Sequence, residues 1–138
     1  MREIYLFNNH LKCQLILILL LIGISGQAAN RYWIASSPGN WNVAANWSTT
    51  SGGAGGASVP IGSDVAIFNN LGNGDCNITA SVTIQGLTIT GYIGTITQNA
   101  NAISIGNAGF NQNSGFFVGG SANITITPAT FTLSGGTF

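Results

Sequence analysis

Beyond position 28, three tryptophans, two aspartates and one cysteine are the residues best suited to recognition or chemistry. Trp33, Trp41 and Trp47 share the stretch "RYWIASSPGNWNVAANWS" (31–48) with Tyr32. Flat aromatic faces stack on sugar rings, and Asn and Ser supply uncharged hydrogen bonds. Tyr32, Trp33, Trp41 and Trp47 are therefore candidate carbohydrate-stacking residues. The same residues suit an aromatic cap over the open apolar end of a stacked fold, because one indole buries on the order of 200 Å².

Asp64 and Asp75 flank the turn-like "IFNNLGNG". Two carboxylates hydrolyse glycosidic bonds only when they converge across a substrate. Each of these, however, sits where Asp commonly serves a turn or a strand end. Residues 29–138 contain no His, Lys, Glu or Met, so the groups that a solenoid enzyme would array along one face are missing. The expectation is no enzyme and no catalytic residue. "NNLGNGD" makes Asn69, Asn73 and Asp75 a weak metal candidate, faintly like a calcium loop. It lacks the run of carboxylates and the bidentate Glu that give affinity, and no metal or cofactor is expected. Cys76 stands alone after residue 28, so it reads as a small buried hydrophobe or as a thiol paired with another chain.

Charge narrows the partners. After residue 28 the ionised groups are Arg31, Asp64 and Asp75, one positive against two negative, a net charge near −1. Nucleic acid and anionic membranes both call for clustered Lys or Arg, and neither partner is expected. Upstream, Arg2 and Lys12 precede an apolar run from Leu15 to Ile24, followed by Gly26 and Ala28. This is the layout of a signal peptide over residues 1–28, cleaved after Ala28. The run is well short of the roughly 20 residues that span a bilayer, and no membrane span is expected after cleavage.

These residues must be positioned by β-structure, since no helical periodicity appears after residue 28. "STTSGGAGGASVP" reads as a loop and "IGSDVAIF" as a strand. "SVTI" (81–84), "AISI" (102–105) and "NITI" (123–126) then recur at an offset of 21 residues. The same offset aligns Val82 with Ile103 and Ile124, and Ile84 with Ile105 and Ile126. It also aligns Leu87 with Ala108 and Ala129, Ile89 with Phe110 and Phe131, and Ile96 with Phe117 and Phe138. Gly94, Gly115 and Gly136 share one position, and Pro128 shares that of Gly86 and Asn107. One such unit is too small to bury a core. Stacked on the next, its apolar residues become ladders and its strands gain parallel neighbours. The fold expected is all-β, a parallel β-solenoid of about 21-residue coils under an aromatic N-terminal cap. The alternative is a small antiparallel β-sandwich. The domain plan is a signal peptide over 1–28, a Trp-rich cap and Gly-rich loop over 29–75, and solenoid repeats over 76–138 that continue into further coils.

The stretches "WIASSPGNWNVAANWS", "VPIGSDVAIF" and "VTIQGLTI" resemble the opening of secreted bacterial proteins with autotransporter-associated β-strand repeats, including large Bacteroidetes cell-surface proteins. The resemblance implies a β-solenoid passenger exported to the outer cell surface or beyond, structural or adhesin-like in role. Its partner would be an extracellular polysaccharide or a host surface glycan. The alternative function is a carbohydrate-binding module centred on the tryptophans.

Overall fold

A computed structural model describes residues 28–127 and 130–138. The expected signal peptide, apart from Ala28, lies outside these residues, as do Pro128 and Ala129. The described residues form ten strands: β1 (Asn30–Trp33), β2 (Gly39–Asn40), β3 (Trp47–Ser48), β4 (Val65–Phe68), β5 (Cys76–Asn77), β6 (Val82–Ile89), β7 (Thr95–Thr97), β8 (Ile103–Val118), β9 (Ile124–Ile126) and β10 (Phe131–Thr137). A short 3-10 turn covers Ala44–Asn46. Alternation of β-branched residues with Thr, Ser and Asn favours strands, and Gly and Asn break them into short pieces.

The strands wind into a three-sided parallel β-solenoid. One side stacks β1, β4, the second half of β6, the middle of β8 and β10. A second stacks β2, β5, β7 and the end of β8. The third stacks the first half of β6, the start of β8 and β9. Among the described strands every pairing is parallel except that of β1 with β3. This excludes the antiparallel sandwich.

The 21-residue offset holds from Val82 to Ile103 to Ile124, and from Ile84 to Ile105 to Ile126. It also reaches one coil further upstream, where Ala66 lies opposite Leu87 and Phe68 opposite Ile89. In the middle of the coil the register slips. Gly86 faces Gly109, Leu87 faces Phe110 and Ile89 faces Gln112. The expected columns Leu87–Ala108 and Ile89–Phe110 are therefore wrong by two positions, as is the match of Gly86 with Asn107. Gly106–Ala108 bulge opposite the single Gln85, leaving Asn107 and Ala108 exposed. Gly86 makes room for this bulge, since a Cβ there would lie 2.6 Å from that of Ala108. The slip is recovered before the next side, where Thr95 faces Phe116 and Ile96 faces Phe117 at the original offset.

The core consists of inward columns: Ala66–Leu87–Phe110, Phe68–Ile89, Cys76–Ile96–Phe117, Val82–Ile103 and Ile84–Ile105. Phe131 continues the first column, stacked on Phe110 at 4.9 Å, and Phe138 stacks on Phe117 at 5.0 Å. Gln112 interrupts the apolar run but is held in place, its Nε2 donating to the carbonyls of Ser114, Gly115 and Thr137. The corner before Phe116 needs a left-handed backbone, with φ of 68° at Gly115 and 77° at Gly136. Any side chain at Gly136 would also meet the carbonyl of Gly115.

Core columns should dominate stability. Phe110→Ala removes a ring that is 1% exposed and should cost about 3–5 kcal/mol. Phe131→Ala, half exposed in the last rung, should cost clearly less. Urea unfolding of both variants checks this, and equal losses would argue against the column assignment.

Candidate functional site

The aromatic cluster is built on the first rung. Trp33 closes β1 and Trp47 opens β3, and these positions pair antiparallel with each other. Trp41 follows β2, where its N–H donates to the carbonyl of Asn77. The three indoles converge on Phe68. Trp33 stacks on Phe68 at 5.5 Å, and Trp47 meets it edge-on at 5.6 Å. Trp33 and Trp41 each meet Trp47 edge-on, at 5.3 and 4.8 Å. Such edge-on and offset pairs add to the stabilisation from burial.

Trp33 and Trp47 are 0% exposed and Trp41 is 3% exposed, so their ring faces are covered by protein. Tyr32 is half-buried on the outer side of β1. The indole N–H of Trp33 donates to the carbonyl of Gly74 at 2.8 Å, and that of Trp47 to the carbonyl of Trp41 at 2.6 Å. Sequence reasoning did not identify Tyr92, which completes the cluster. It is buried edge-on against Phe68, and its hydroxyl donates to the same Gly74 carbonyl at 2.7 Å. Gly74 can serve both aromatics because its backbone packs against Ser37, where a Cβ would collide. The signal for this arrangement lay in "LGNGD", where a glycine stands immediately before Asp75.

The polar candidates serve the scaffold. Asp64 is 3% exposed and lies 3.7 Å from the Arg31 guanidinium. Its carboxylate also accepts the N–H of Ile61. Arg31 Nε donates to the hydroxyl of Ser58, tying the long loop to β1. Asp75 accepts the N–H of Thr95 at 2.8 Å, joining one coil to the next. Asn69 accepts the N–H of Leu71 and donates to Ser51, forming a turn, and Asn73 is exposed beside it. Among the described residues, no three His, Cys, Asp or Glu side chains come together as a metal site.

Cys76 is buried in the column between Gly39 and Ile96. Burial pushes its thiol far above the ordinary value. Tyr92 is pushed the same way by burial first, then by the neighbouring Cys76 and Asp75. Reactive thiols are deprotonated and reachable, and this one is neither.

No protein-family model, no curated protein and no solved structure matches the chain.

Two measurements test the cluster. Native fluorescence should be blue-shifted, and Trp33→Ala or Trp47→Ala should each cost about 3–5 kcal/mol. A red-shifted spectrum would contradict the burial described. The second concerns pH. Cys76 and Tyr92 hold their protons more tightly folded than unfolded, so folded chains bind more protons in alkali and stability falls as pH rises. The fall should begin near the ordinary thiol value of about 8.5 and steepen above about 10 as unfolded tyrosine ionises. Cys76→Ala should lower stability at neutral pH while flattening the first part of the fall, as read from urea midpoints across that range.

Proposed function

We propose that the chain is an exported, non-catalytic β-solenoid of the autotransporter-associated repeat type, structural or adhesin-like, displayed at or beyond the bacterial outer surface. The observation that carries this reading is where the functional groups go. Asp64, Asp75, Arg31 and Cys76 are all engaged in holding coils together. Thr, Ser and Asn recur among the outward strand positions from coil to coil, with the apolar side chains of Phe116 and Val118 half exposed among them. A surface of that composition suits contact better than chemistry. The covered faces of Trp33, Trp41 and Trp47 favour their use as a lid over their use as a sugar platform. The apolar run before Ala28, with its small residues at the cleavage position, supports export.

Expression of the full chain in a secreting bacterium tests the reading. Protein recovered from the cell surface or medium should begin at Ala29 on N-terminal sequencing. Retention in the cytoplasm with Met1 intact would overturn the export reading.

A further inference from the structure

The third side of the solenoid carries a groove that none of the residues above account for. Two hollows of about 360 and 240 Å³ adjoin there. Gly62 and Thr83 line both, so the hollows border each other at these two residues. The loop at Val59–Gly62 walls one flank, and the outer face of β6, β8 and β9 forms the other. Trp41 lines the end nearest the aromatic lid.

The groove has a repeating wall. Thr83, Ser104 and Thr125 lie opposite one another in successive rungs, and all three are exposed. They form a column of hydroxyls that advances by one strand spacing per rung, about 4.8 Å, and spans about 10 Å over three rungs. Gln85 and Thr127 add an amide and a further hydroxyl beside it. Ile61, which is 60% exposed, contributes an apolar patch to the loop flank. Among the described residues, none lining either hollow is ionisable.

We propose that this groove binds a neutral polysaccharide strand lying along the stack axis, across the rungs of Thr83, Ser104 and Thr125. A wall that presents the same small hydroxyl at regular steps matches a ligand that presents hydroxyls at regular steps. The absence of charge from the lining removes any advantage for an acidic or basic polymer. The apolar patch from Ile61 suits the C–H faces of sugar rings, in the mixed lining usual for ligand clefts. The proposal rests on the reading of the chain as a contact surface, but it does not depend on the route of export.

Gly62 offers the sharpest test. Its Cβ position lies 3.6 Å from the Thr83 methyl, an ordinary contact, and its backbone is not left-handed. Gly62→Ala should therefore fold as the parent does, which makes it the folding reference for a larger residue at this position. Gly62→Tyr should place a ring where the two hollows meet, and Ser104→Tyr should block the middle rung. Asn111→Tyr, exposed on another side of the coil, is the control. The assay is native gel electrophoresis of the full chain through soluble hydroxyethyl cellulose, dextran or mannan, with polygalacturonate as the charged comparison. The parent and Asn111→Tyr should be retarded by at least one neutral polymer. Gly62→Tyr and Ser104→Tyr should bind at least about tenfold more weakly, the scale of one or two lost contacts. Unchanged melting temperatures would show that the variants fold.

The proposal is overturned if no neutral polymer retards the parent, or if only polygalacturonate does. Undiminished binding by both tyrosine variants of the groove would also overturn it, as would capture of an extended peptide in place of any glycan. Loss of polymer binding from an exported chain sinks the groove alone, whereas polymer binding by a chain that is never exported sinks the proposed location alone.

Discussion

In a parallel stack every side chain sits directly above its counterpart in the coil below, about 4.8 Å away. This vertical constraint governs the whole molecule. A residue in a column is acceptable only if it packs against the residues above and below it, so Phe110 on Phe131 and Phe117 on Phe138 lie nearly parallel, at 12° and 8°. The backbone ladder enforces the spacing, and the columns then set composition. Large apolar residues face inward, small polar ones face outward, and residues at corners accept a left-handed backbone or leave room for a neighbour.

The aromatic cluster answers the same constraint at the first described rung, where no earlier coil among the described residues supplies a covering column. Phe68 would otherwise present its face to water. Trp33 from β1, Trp47 from β3 and Trp41 just after β2 close over it, and two of their N–H groups find backbone carbonyls. Buried polar atoms without partners are costly, which makes these bonds as necessary as the packing. Gly74 therefore matters beyond its size, because its one carbonyl accepts from both Trp33 and Tyr92.

The period and the isoleucine columns were legible in the sequence, since 82, 84, 103, 105, 124 and 126 follow the offset without adjustment. The middle columns were not. A fixed offset aligned Ile89 with Phe110 because both are large and apolar, whereas the bulge at Gly106–Ala108 shifts that segment by two residues. Composition alone cannot reveal which glycine-rich corner bulges outward. The rung at β4 was within reach, because Ala66 and Phe68 precede Leu87 and Ile89 by the same offset. The two readings of the tryptophans differ only in burial, which depends on Phe68 and Tyr92 arriving from later in the chain. The groove was hidden for a similar reason: Gly62 and Ser104 are distant in sequence and meet only through winding.

The bulge also says something about how such a chain keeps time. Two residues are gained between Gln85's rung-mate and Gly109, then given back before Phe116, so each full turn closes with its phase intact. The length added at one corner is taken back at the next within the same coil, and on that side the following coil keeps the longer corner, since Phe110 faces Phe131 at the plain offset. The corners thus act as local buffers of length, and the columns on the other two sides never register the disturbance. A coil can therefore change its outline on one side, and with it the surface presented there, while its neighbours keep step.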